Sequence, residues 1–170
     1  MSLSKKKWIL LMLGGFSFLN SKCQVESKAF DTLLQTMVSK DVPTISCAEL
    51  KKSSTKPILL DTRAKREFEV SHIQNARWVG YDEFKIESVK DISKDAPIVV
   101  YCSIGVRSGK IGEKLQKAGY TNVKNLYGSI FEWVNQGNAV YDINEKPTKK
   151  IHGYSRTWGI WVKKGEKVYE

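Results

Sequence analysis

Cysteine is scarce in this chain: Cys23, Cys47 and Cys102 are the only three among 170 residues. Three are too few for a disulfide framework, and no two have the spacing of a metal-ligand pair, so no metal is expected. Long apolar runs are missing too. The stretch from Trp8 to Leu19 is too short to span a bilayer comfortably. Acid is absent before Glu26, so four of the charges behind the formal +10 belong to Lys5, Lys6, Lys7 and Lys22. Elsewhere no basic stripe alternates with aromatics, which leaves nucleic acid without its usual electrostatic footprint. Scattered lysines solvate a surface and attract small anions. The length suits one domain with one core.

Lys5-Lys6-Lys7, the apolar run and then Asn20-Ser21-Lys22-Cys23 have the three-part layout of a secretory signal peptide over residues 1–23. Ser21 and Cys23 fill the small-residue positions before Gln24, with Ser21 itself as an alternative last residue removed. The expectation is a periplasmic or secreted bacterial protein with no membrane span after signal cleavage. In a second reading Cys23 is acylated and anchors the chain to lipid, against which Asn20 and Lys22 count. Residues 24–39 are expected to form a packing helix, since Phe30, Leu33, Leu34, Met37 and Val38 recur at helical spacing.

The stretch that carries chemistry is 98–112. Ile98-Val99-Val100-Tyr101 predicts a strand buried on both faces, and Ile111, Leu115 and Ala118 follow helical spacing up to Gly119. Between them lies a tight loop opening with Cys102 and closing with Arg107. A helix N-terminus presents unpaired N–H groups and partial positive charge, which favour an anion at the loop's centre. A thiolate is such an anion, so Cys102 is the candidate nucleophile. Gly105 permits a positive φ that curls amides inward, Ser103 and Ser108 add hydroxyls, and Arg107 offers a planar fork to an oxyanion. Cys47, behind the helix cap Ser46, reads as a small packing residue.

Upstream, Pro57 to Arg63 predicts a second buried strand ending in polar residues, followed by helical Lys65 to Val70 and then Ser71-His72-Ile73. Thr44-Ile45 and Arg77-Trp78-Val79 predict short strands, Thr121 to Leu126 the last parallel strand, and Ser129 or Gly128 starts a helix bearing Ile130, Phe131, Trp133 and Val134. Asp61 and Arg63 could line the pocket from a neighbouring strand end, or fix the loops. Glu67 and His72 read as loop-fixing groups.

Cys102-Ser103-Ile104-Gly105-Val106-Arg107-Ser108 resembles the active loop of the rhodanese family of sulfurtransferases. Asp61, Arg63, Glu67, Phe68, His72, Ile73 and Ala76 match, in order, that family's upstream motif. Related phosphatases of the same fold carry five residues between cysteine and arginine, whereas Ser103 to Val106 make four, a ring better suited to sulfur. A paired glycine usual before the last helix is here Gly128-Ser129. The resemblance implies a single rhodanese-like α/β domain over residues 40–141, with an open, mainly parallel sheet of about five strands and helices on both faces. It implies sulfur transfer through a Cys102 persulfide, with a small anionic sulfur donor such as thiosulfate, a cyanide or thiol acceptor, which includes a protein thiol, and no cofactor. Backbone amides from Ser103, Ile104, Gly105, Val106 and Ser108 would stabilise the sulfur anion, and Arg107 would hold the donor's oxyanion. A persulfide-carrying or partner-docking module, and a phosphatase or arsenate reductase, are the alternatives.

Residues 142–170 lie beyond the resemblance. Lys146 to Lys150 reads as a linker, but Tyr154, Trp158, Ile160 and Trp161 are too apolar for a disordered tail. The expectation is a docked extension covering a sheet edge or apolar patch. The functional alternative puts His152, Arg156 or the tryptophans on the pocket rim or a partner surface.

Overall fold

The computed structural model describes residues 25–169; the signal peptide and the lipid-anchor alternative at Cys23 lie outside the described residues. Helix α1 (Lys28–Met37) starts at Ser27, whose hydroxyl accepts from the Phe30 N–H, and buries Phe30 and Leu34. Strand β1 (Thr44–Ile45) leads to α2 (Cys47–Lys52), where Ser46 and Glu49 form a reciprocal capping box. Then follow β2 (Ile58–Asp61), α3 (Lys65–Val70), β3 (Arg77–Trp78), a 3₁₀ turn at Ile86–Val89, β4 (Ile98–Tyr101), α4 (Val106–Lys117), β5 (Val123–Leu126) and α5 (Ser129–Asn135).

The five strands form one fully parallel sheet in the order β1-β5-β4-β2-β3. All four residues of β4, at its centre, are buried, and their alternation divides the core in two. Val99 and Tyr101 join Leu126 under α1, α2 and α5, whereas Ile98 and Val100 join Leu60 and Val123 under α4 and the 3₁₀ turn. The expected α/β architecture with helices on both faces is therefore present. Helix α4 begins five residues before the first periodic apolar residue, Ile111, because Gly105 caps it directly behind the loop.

The tail is structured throughout its described length. Lys146–Lys150, expected as a linker, instead supplies Pro147–Thr148 (β7), which pairs antiparallel with Val140–Tyr141 (β6), and the first residue of β8 (Lys150–His152). Strand β8 pairs in parallel with β9 (Glu166–Val168), so β5 is not the last parallel strand. Short helix α6 (Arg156–Gly159) lies between them. Ile151 and Val162 enter the core beneath α1, and Trp161 stacks on Phe30 with ring centroids 5.2 Å apart.

Candidate active site

Parallel strands deliver their carboxyl ends to one edge of the sheet, and the connections leaving β2, β4 and β5 meet there. Cys102 follows β4 directly and is 1% exposed. Its backbone N–H donates to Ser129 Oγ at 3.1 Å, and that hydroxyl donates in turn to the Leu126 carbonyl. Ser129 adopts a left-handed φ of 51°, next to Gly128 at 73°. The serine in the place of a second glycine thus gives β4's loop a hydrogen-bonding anchor that glycine lacks. The first-turn amides of α5 complete the clamp: Ile130 and Phe131 N–H donate to the carbonyls of Cys102 and Ser103, each at 3.2 Å.

With those carbonyls turned toward α5, the loop's amides face the sulfur. Gly105, at φ 116°, donates its N–H to Cys102 Sγ at 3.1 Å. Ser108, buried in the first turn of α4, donates its hydroxyl to Asn125 Oδ1 at 2.7 Å. Asn125, from β5, donates back to the Gly105 carbonyl at 2.8 Å and so ties the loop's crown to the sheet. Burial pushes the Cys102 thiol pKa up, but the Arg107 charge and the Ser108 and Gly105 donors outweigh it, and the net displacement is downward. Cys47 shows the contrast: burial, reinforced by the Glu132 carboxylate, pushes its thiol up to about 12.

The other residues singled out from sequence divide into two groups. Asp61 and Arg63 are fully buried and pair with each other, Arg63 Nη2 lying 2.6 Å from Asp61 Oδ2 and 2.6 Å from the Ser71 carbonyl that it also serves. They shape the turn after β2 and do not line the pocket. His72 is likewise a loop-fixing group, with ring nitrogens at the Phe68 carbonyl and Glu145. Glu67 is different. Read from sequence as one more loop-fixing group, it reaches the active loop, accepting from both terminal nitrogens of Arg107 at 2.7 and 2.9 Å and from Ser103 Oγ at 3.1 Å. The Arg107 fork, expected to lie open to a donor's oxyanion, is closed on this carboxylate and on Ser103 Oγ.

In front of Cys102 lies a pocket of about 160 Å³ lined by Met37, Cys102, Ser103, Ile104, Val106, Arg107, Tyr154 and Trp158. Met37 comes from α1 and the last two from the tail. The tail thus contributes to the pocket rim and does more than cover apolar surface, although His152 is buried beneath it rather than at the rim. No sequence signal tied Met37, Tyr154 or Asn125 to Cys102. For Glu67, the presence of a loop-closing arginine that needed a counter-charge was the available clue.

The chain matches the rhodanese-like domain family over residues 46–136. It is 34% identical over 90 residues to the uncharacterized protein YqhL of Bacillus subtilis strain 168, covering 53% of this chain and 71% of that one. It is 34% identical over 88 residues to a tRNA uridine(34) hydroxylase of Pectobacterium atrosepticum, covering 48% of this chain and 24% of that protein. A probable adenylyltransferase/sulfurtransferase, MoeZ of Mycobacterium tuberculosis, is 31% identical over 97 residues, 55% of this chain and 25% of its own length. The crystal structure of a rhodanese-related protein from Thermoplasma volcanium superposes with a TM-score of 0.52 at 26% identity, covering 58% of this chain and 96% of that one. A buried, anion-stabilised cysteine between the central strand and its helix, in a chain matched over more than half its length, leads to one conclusion: this protein belongs to the rhodanese-like domain family.

Proposed function

We propose that the protein is a sulfurtransferase that carries sulfane sulfur as a Cys102 persulfide. The observation that carries this reading is the Gly105 N–H directed at Cys102 Sγ at 3.1 Å inside an anion-favouring loop. In the first half-reaction the Cys102 thiolate attacks the outer sulfur of a donor, thiosulfate or a persulfide. The donor's S–S bond breaks and its electron pair leaves with sulfite or a thiolate. In the second, cyanide or a thiol attacks the outer sulfur of the Cys102 persulfide, and Cys102 departs as thiolate. Electrons balance among the sulfur atoms, so the exchange needs no redox cofactor. The Gly105 and Ser108 amides stabilise the anion in both states, and the Arg107 charge favours the thiolate as nucleophile and leaving group.

The relatives that name sulfurtransferase activity support this class of chemistry. The Lys5–Lys7 and Trp8–Leu19 layout supports export to the periplasm or outside the cell. Intact-mass measurement with and without thiosulfate, and with an organic persulfide donor, tests the reading. One added sulfur atom, removed by cyanide as thiocyanate, is expected for the wild type and for Cys47→Ser. Sulfur loading of Cys102→Ser would falsify the assignment.

A further inference from the structure

The family match ends at residue 136, yet two of the eight residues lining the pocket, Tyr154 and Trp158, come from the tail. Tyr154 is held in a left-handed conformation, φ 63°, which a tyrosine adopts only when its surroundings impose it. The Tyr154 N–H donates to buried His152 Nδ1 at 3.0 Å, and the Gly153 N–H to the Val168 carbonyl at 2.8 Å. Next along the chain, Ser155 caps α6 and so fixes the turn that carries Trp158. Beneath them Tyr169 packs so closely that a Cβ on Gly153 would stand 2.7 Å from its ring, and one on Gly159 would clash with its hydroxyl. The segment is therefore built to hold two aromatic side chains at the mouth. Tyr154 stands over Arg107, whose guanidinium carbon lies 4.9 Å from the ring centroid.

The mouth these residues make is a poor receptor for a small dianion. Arg107 is the one charged side chain lining the pocket among the described residues, and both of its terminal nitrogens are committed to Glu67. Met37, Ile104, Val106, Tyr154 and Trp158 complete a largely apolar wall. The pocket's 160 Å³ is enough for one aromatic ring, since an apolar cavity of about 150 Å³ holds benzene. We propose that this mouth selects sulfane-sulfur donors with an apolar or aromatic carrier, such as aryl or alkyl persulfides and thiosulfonates, over thiosulfate, with Tyr154 and Trp158 as specificity-determining residues. The proposal rests on the sulfurtransferase reading of Cys102. In each case the Cys102 thiolate bonds to the outer sulfur while the donor's S–S bond breaks, and the electron pair leaves on a carrier thiolate or sulfinate that the aromatic mouth holds.

The test measures kcat/KM for benzenethiosulfonate and for thiosulfate, with cyanide as acceptor, in the wild type and in Tyr154→Ala, Trp158→Ala and Trp158→Phe. Each variant's ratio is compared with that of the wild type, so the intrinsic reactivities of the two donors cancel. Losing the contact area of an aromatic side chain should lower the ratio roughly tenfold in either alanine variant, and Trp158→Phe should restore most of it. A ratio unchanged in both alanine variants overturns the proposal and leaves the tail a structural cover. Should Trp158→Ala not fold, the exposed Tyr154→Ala decides alone, with its thermal unfolding measured in parallel. If neither donor loads wild-type Cys102, the sulfurtransferase reading fails first and takes this proposal with it. If both load it and the ratio does not respond, only the specificity claim falls.

Discussion

Glu67 and Arg107 form a bidentate ion pair, with Nη1–Oε2 and Nη2–Oε1 distances of 2.7 and 2.9 Å, between the helix after β2 and the first turn of α4. Glu67 is almost fully buried and the Arg107 side chain is 19% exposed. Burial alone would raise the Glu67 pKa, but the guanidinium holds it below its ordinary value. The pair closes the active loop and also sets how much of the Arg107 charge the Cys102 sulfur feels.

Glu67→Gln should separate those two effects. Removing one member of a buried pair costs about 3–5 kcal/mol, and the partial exposure of Arg107 reduces the expected loss to about 1–3 kcal/mol. The uncompensated guanidinium should lower the Cys102 pKa further and raise kcat/KM for thiosulfate by up to about tenfold, because its fork is released for an oxyanion. Denaturant melts and the pH profile of iodoacetamide alkylation check this. An alkylation profile identical to the wild type would show that Arg107 shapes the loop without tuning the thiolate.

The two described cysteines should pull stability in opposite directions with pH. Unfolded thiols titrate near ~8.5. The folded pKa of Cys102 is depressed, so its stabilisation is complete above that value and disappears as pH falls through the lower folded pKa. For Cys47, raised to about 12, the sign reverses: stabilisation is complete below ~8.5 and is lost as pH climbs toward the folded value. Unfolding free energies between about pH 6 and 10 should therefore show Cys102→Ser losing ground against the wild type as pH rises, and Cys47→Ala gaining it. A Cys102→Ser curve parallel to the wild type would rule out a stabilised thiolate.

Gly105→Ala should cost about 1–2 kcal/mol for the left-handed conformation alone. Its new Cβ would also stand 3.3 Å from Val38 Cγ2, so the crown of the loop must shift. Because that shift moves an N–H that now faces Cys102 Sγ, alkylation of Cys102 should require higher pH. Unaltered alkylation with reduced stability would mean that this amide contributes nothing to the thiolate.

Export is checked by the N-terminal residue of protein recovered from the envelope of a bacterial host. Processing within residues 20–24 is expected from the sequence layout. An intact Met1 on soluble cytoplasmic protein removes the export proposal, and a diacylglyceryl mass on Cys23 favours the lipid anchor.

What the sequence determined by itself is local. An uninterrupted Ile98–Tyr101 run has to be buried on both faces, Gly105 is the residue able to turn the loop, and a cysteine between such a strand and a helix start sits among inward-facing amides. Those facts involve neighbours in the chain, so β4, the loop and α4 were legible together, as were the Ser46 helix cap and α3. The tertiary structure decided which distant groups stand opposite that loop. Glu67 lies 40 residues from Arg107 and meets it only because β2 and β4 are adjacent in the sheet. Tyr154 and Trp158 reach the pocket only because β8 and β9 pair and Tyr169 fills the space behind the turn. Strand order and tail docking are set by burial summed over the whole chain, and no window of neighbouring residues carries that sum. The placement of Cys102 between strand and helix was therefore readable from sequence, while the counter-charge and the shape of the mouth came from the fold.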